Sequence, residues 1–177
     1  TAAVKPALDT GSSKLDVTPA SPVEGDEVTA KLSLDGGAEA VWKGFKTSIR
    51  AAIRQAQKAE LDVRWGRENL DAFYDVLADN MHRKGSPIYG RPFMHEMLDA
   101  FGEAAEVITL WKDGQPISGA LAIAFNDVMY VPFASSRAAY FPLRPNNLLY
   151  WNIIERACAT GNGGTCSCRD SRASRYG

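Results

Sequence analysis

Residues 106–134 constrain the fold more than any other stretch. Residues 106–112 (EVITLWK) are apolar and partly β-branched, and they end at Asp113-Gly114, a strong hairpin dipeptide. Residues 116–126 (PISGALAIAFN) follow, Asn126-Asp127 turns the chain again, and 128–134 (VMYVPFA) form a third run. Three strands joined by such short turns predict an antiparallel meander. After a loop over 135–145 comes a largely apolar helix, LLYWNIIERACA. Leu149, Ile153, Ile154, Ala157 and Cys158 cover much of it, leaving Asn152, Glu155, Arg156 and Ala159 as a narrow wet face. Such a helix packs deep against the sheet. Free backbone N–H groups collect at a helix N-terminus, so the junction of sheet and helix is where this sequence places a ligand.

The rest of the chain is consistent with one α/β (α+β) domain, a mainly antiparallel sheet with flanking helices. Its 177 residues are enough for a core, with 45% hydrophobic and 23% charged residues. A net charge of −1 argues against general DNA binding or a membrane-surface protein. No run approaches the roughly 18 apolar residues of a membrane span. The chain starts at Thr1 without a Met, as expected of an excised piece. Cys158, Cys166 and Cys168 are not a disulfide framework, and they point to a reduced, cytosolic chain. His82 and His95 lack metal-ligand spacing, so no metal site is expected.

Residues 1–26, rich in Pro, Ser, Thr and Gly, read as an irregular linker, and 27–34 alternate as a strand. Residues 38–59 read as one helix. Its apolar side holds Val41, Trp42, Phe45, Ile49 and Ile53; the opposite side holds Lys43, Lys46, Arg50, Arg54 and Lys58. Five cations without an intervening acid fit an anionic ligand, although a solvated face produces the same stripe. Residues 61–65 alternate as a strand. Asn69 is placed to cap a helix over 70–84, and Pro92 opens another over 92–101 that buries Phe93, Met94, Met97, Leu98 and Phe101. Residues 161–177 offer little that is apolar. No returning strand is expected there, and the segment after about 162 should be poorly ordered.

Three long strings, in this order, resemble the Fem-type branch of the GNAT superfamily, specifically the FemAB-related proteins of the PEP-CTERM/exosortase system. They are VWKGFKTSIRAAIRQAQKAELDVRWG (41–66), LDAFYDVLADNMHRKGSPIYGRPFMHEML (70–98) and ASSRAAYFPLRPNNLLYWNIIERACATG (134–161). The likeness covers 27–161 and implies a GNAT-like domain, the second lobe of a two-lobe protein, with 162–177 as an aberrant or truncated tail. Family members carry a further lobe upstream, and after the helix-ending glycine they run into a strand near FDFGRS. Here the chain reads TCSCRDSRASRYG, which looks like a shifted frame or a divergent end. The resemblance implies an amide-forming acyl- or aminoacyl-transferase, with acyl-CoA or aminoacyl-tRNA as donor. The acceptor it implies is an anionic envelope or exopolysaccharide precursor, handled in the cytoplasm or at the inner face of the inner membrane. The other reading is a non-catalytic binding module or inactive fragment.

Amide formation needs an aligned amine, a proton acceptor and N–H donors for the oxyanion. The glycine-rich phosphate loop of acyl-CoA-dependent relatives is replaced by Arg144-Pro145-Asn146-Asn147, which argues against acyl-CoA held in the usual manner. Arg144, Asn146 and Asn147 are the candidates for an anionic group of the donor, with Arg50 and Arg54 as a second wall. Lys46, Tyr89, Ser135 and Ser136 are candidate substrate contacts. Tyr89, Ser135 and Ser136 read equally as loop or strand-end packing, with no histidine nearby to activate a serine. Glu155, the one acid on its helix's polar face, is the candidate general base.

Overall fold

The computed structural model describes residues 28–160 and 164–170. In order, the elements are β1 (Val28–Ser33), α1 (Gly37–Gly44), α2 (Thr47–Lys58), β2 (Asp62–Trp65), α3 (Leu70–Lys84), α4 (Arg91–Phe101), β3 (Ala105–Lys112), β4 (Gln115–Phe125), β5 (Val128–Ser136), α5 (Pro145–Ala159) and β6 (Thr165–Asp170). A 3₁₀ segment, Ala138–Leu143, joins β5 to α5. The six strands form one sheet in the order β1-β6-β5-β4-β3-β2. β3, β4 and β5 are the expected antiparallel meander. Asp113, Asn126 and Asp127 all take positive φ in its turns, as residues suited to left-handed backbone do. β5 and β6 run parallel, so α5 is their crossover.

The sheet is covered on both faces. β3 shows this by alternation. Ala105 and Val107 pack with Leu70, Phe73, Leu77, Met94 and Leu98 of α3 and α4, whereas Ile108 and Leu110 pack with α1, α2 and α5. A strand buried on both sides reads as a continuous apolar run, which is why 106–112 and 117–123 stand out in the sequence. Trp151 of α5 anchors the second cluster, with ring centroids 4.8 Å from Trp42 and 5.9 Å from Phe45.

Four features differ from the sequence reading. The helix expected over 38–59 breaks at Phe45 and Lys46, both extended (ψ 142° and 147°), after the weak helix former Gly44. Arg50 holds the break by donating to the carbonyl oxygen of Lys43 at 3.4 Å. Asn69 does not cap α3 with its side chain; it is buried and donates Nδ2 back to the Gly66 carbonyl. Phe93 and Phe101 are exposed on α4, where only Met94 and Leu98 are fully covered. Last, residues 165–170 do form a strand. β6 lies between β1 and β5, so both of its edges are paired and Cys166 and Ser167 are buried. Ladder hydrogen bonds on two sides replace the apolar side chains the segment lacks. The linker expected over 1–26 and the tail past 170 lie outside the described residues.

Gly119 of β4 sits where α3 presses on the sheet. A Cβ there would lie 2.8 Å from the Phe73 ring and 3.0 Å from the Ile108 carbonyl oxygen. Gly119→Ala is expected to destabilise the fold by about 1–3 kcal/mol through overpacking. The check is the denaturation midpoint, with Phe73→Leu in the Gly119→Ala background recovering part of the loss.

Candidate functional site

The junction of β5 and α5 is shaped by one residue without an N–H. Ala122 of β4 faces both Val131 and Pro132 of β5, since the register steps from Leu121↔Phe133 to Ile123↔Tyr130. This is a bulge, a position that accepts proline. The parallel ladder to β6 ends at Val131↔Cys168, immediately before it. From Pro132 to Ser136, β5 therefore has no ladder partner on its β6 side among the described residues.

Ser136 leads into the site. Its hydroxyl donates to Oδ1 of Asn146 in the first turn of α5, and it lies 2.6 Å from the hydroxyl of Ser118 on β4. Ser118 also donates to the Ser135 carbonyl at 3.1 Å. These three serines are buried, so the chain of hydroxyls fixes the start of α5 to the sheet. The helix then opens on strained backbone. Arg144 is its N-cap with φ 57° and ψ 41°, a left-handed conformation costly for arginine. Pro145 has no N–H, and Asn147 donates its own back to the Arg144 carbonyl at 3.1 Å. The main-chain N–H of Asn146 is left without a partner among the described residues. That is fewer free donors than the sequence reading counts at this terminus.

A groove of about 460 Å³ lies between α2 and this turn, lined by Ser48, Ile49, Ala51, Ala52, Gln55, Arg144 and Asn147. Gln55 donates Nε2 to the Pro142 carbonyl at 2.9 Å and so ties α2 to the 3₁₀ segment. The structure thus brings Arg144 and Asn147 together with α2, and Asn146 adjoins them. Arg50 and Arg54 do not line the groove. Arg50 bonds to Lys43 and Thr47, and Arg54 sits over the Trp42 ring at 5.5 Å, so both lean toward α1. Lys46 is an exposed N-cap at the helix break. Ser135 and Ser136 are buried and take part in packing. Tyr89 is exposed on the α3–α4 side of the sheet, stacked on Phe93 at 4.6 Å and edge-on to Phe133. Glu155 lies ten residues along α5, about 15 Å from Pro145. Burial pushes its carboxyl pKa up, and a hydrogen bond from Trp151 partly offsets that. Sequence reasoning missed Ser48, Ala51, Ala52 and Gln55. Their signal was small or neutral side chains between the apolar and cationic faces of α2, where another helix end approaches closely.

Residues 43–166 match the family described as Acetyltransferase (GNAT) domain. Among solved structures, FemX is similar with a TM-score of 0.73 at 14% identity, over 84% of this chain and 55% of FemX. The C-terminal domain of a putative lysylphosphatidylglycerol synthetase from Agrobacterium fabrum is similar at TM-score 0.57 and 14% identity, over 80% of this chain and 45% of that one. An aminoglycoside acetyltransferase from an uncultured soil metagenomic sample gives TM-score 0.53 at 9% identity, over 66% and 81%. At these identities the likeness is one of fold, and the fold is GNAT-like. The chain spans about half the length of the first two structures. No curated protein matches the sequence.

Ionised Glu155 is disfavoured in the folded state, because its pKa is raised there. Its stability contribution is full below the unfolded-state pKa and is lost as pH rises through the folded-state value. Glu155→Gln is therefore expected to melt above the parent at neutral pH, with the gap closing by about pH 3, below the usual glutamate range. Thermal unfolding at the two pH values is the measurement.

Proposed function

The chain belongs to the GNAT acetyltransferase domain family, and from that premise we propose that it is the donor-binding lobe of an amide-forming acyl- or aminoacyl-transferase. The acceptor in this reading is an anionic cell-envelope or exopolysaccharide precursor, as in the Fem-type, exosortase-associated branch that the three sequence strings resemble. The observation that carries it is the groove at the start of α5. There an arginine held in left-handed backbone, an unpaired main-chain N–H and Asn147 meet at the first turn of α5. An anionic group of the donor, from acyl-CoA or aminoacyl-tRNA, sits against this turn, where the helix dipole and Arg144 favour negative charge. The acyl carbon in this reading lies along β5 past Pro132, where main-chain N–H groups on the side away from β4 would steady the tetrahedral oxyanion.

In this reading the sheet, with β6 at 165–170 as part of it, is the second lobe of a two-lobe protein. The fraction of FemX covered supports the division. The work is cytoplasmic, at the inner face of the inner membrane where such precursors are built. Among the described residues no helix is long and apolar enough to cross a membrane. A second reading, a binding module without chemistry, is favoured by one observation: neither a carboxylate nor an imidazole lines the groove to take the amine's proton.

Incubation with acyl-CoA or aminoacyl-tRNA and amino-sugar nucleotides, followed by mass spectrometry of new amides, separates the two readings. Arg144→Ala is expected to lower kcat/KM by about ten- to hundredfold, the loss of one charge-assisted hydrogen bond, with Tm nearly unchanged. An unaltered rate in that variant refutes the site, and no amide from any donor leaves the binding module.

A further inference from the structure

The surface of α2 divides into three arcs. Ile53 and Ala56 are buried on the first. Ser48, Ala51 and Gln55 line the groove on the second. On the third, Lys46 at the N-cap is followed at four-residue steps by Arg50, Arg54 and Lys58. At about 100° and 1.5 Å per residue, these cations fill an arc of about 120° along about 18 Å of helix.

The charge of this row is uncompensated. Residues 40–59 hold five cations and no acid, in a chain whose net charge is −1. The overall charge conceals the face, because the remainder of the chain is acidic. Lys43 pairs with Glu39 at 2.8 Å, but the other four have no carboxylate partner among the described residues. Arg50 donates to the Lys43 carbonyl and to the Thr47 hydroxyl, and Arg54 lies over the Trp42 ring at 5.5 Å. Both contacts hold the guanidinium groups in place and leave their charge intact. At its Lys46 end the row meets an apolar corner. The chain breaks there between α1 and α2, with Gly44 exposed. Trp42 and Phe45 are only half-buried, both in contact with Trp151.

We propose that the α1–α2 corner is a peripheral docking surface for a bilayer carrying anionic lipid. Lys46, Arg50, Arg54 and Lys58 meet the phosphate headgroups, and Trp42 and Phe45 reach the boundary between headgroups and acyl chains. A row of four cations on one side of an amphipathic helix matches a negative lipid surface. A nucleic-acid backbone carries the same sign of charge, but it is held in a groove, with bases stacked on open aromatic faces. Here the row lies on the outer side of a helix, and Arg54 already sits over the Trp42 ring. The cationic arc adjoins the groove arc on α2, so docking sets the groove at the bilayer surface. The inference stands whether or not the groove transfers an acyl group, and vesicle binding and amide formation are read separately.

The test is flotation of the whole chain with vesicles of equal parts phosphatidylglycerol and phosphatidylethanolamine, and with vesicles of phosphatidylcholine alone. The parent is expected to float with the first and not with the second, and to be released by salt. Lys46→Gln and Lys58→Gln are each expected to weaken binding about fivefold, and the double variant about thirtyfold. Should the double variant not fold, Lys58→Gln alone decides, since its side chain is exposed in the last turn of α2. Tryptophan emission of the parent is expected to move to shorter wavelength on the anionic vesicles, and less so in Trp42→Phe. A parent that stays behind both vesicles, or a double variant that floats as well as the parent, overturns the inference. An emission spectrum unchanged at full binding removes the aromatic corner from the contact and overturns it in that form. If the parent ignores vesicles but binds bulk transfer RNA, and the double variant loses that binding, the face is a nucleic-acid surface and the bilayer reading fails.

Discussion

Pro132 has no N–H to give, and the parallel ladder between β5 and β6 stops at the residue before it. The open edge of β5 depends on that stop. Were the two strands zipped to their ends, the carboxyl half of β5 would be sealed on both edges. Instead the bulge against Ala122 turns the strand, and Ser135 and Ser136 carry on into the 3₁₀ segment. The start of α5 is then set by buried hydroxyls from β4 and β5 rather than by a capping side chain of its own. Polar groups buried this deep are tolerated only when paired, so the helix end and the sheet hold each other in register.

Most of the fold was legible because it is local. The meander declares itself through Asp113-Gly114 and Asn126-Asp127, whose backbone needs are met by few other residues. α5 is legible from its nearly unbroken apolar surface. Two elements were hidden because their cause is tertiary. The break after Gly44 goes with the edge-on packing of Phe45 on Trp151, 106 residues away, which no helical period reveals. β6 was hidden because its side chains are small and polar, and its stability comes from two neighbours, one of them β1 at the far end of the described chain.

The placement of the candidate residues was legible in part. Arg144, Asn146 and Asn147 could be named because a helix start after a loop is visible in sequence, and the structure places them at one turn. Arg50 and Arg54 fall away from the groove. The period of α2 was extended across a break, and both side chains serve the α1–α2 corner.

The insertion of β6 between β1 and β5 also orders events in time. Among the described strands β1 pairs with β6 alone, so the earliest of these strands has nothing to zip onto until the latest of them has formed. The meander and its helices close through short loops; the β1–β6 pairing must close a loop of well over a hundred residues, which makes it slow. On a ribosome the half-built sheet waits with the open edge of β5 exposed, the kind of edge that recruits foreign strands. Loss of the chain from Thr165 onward would cost the sheet two strands, not one.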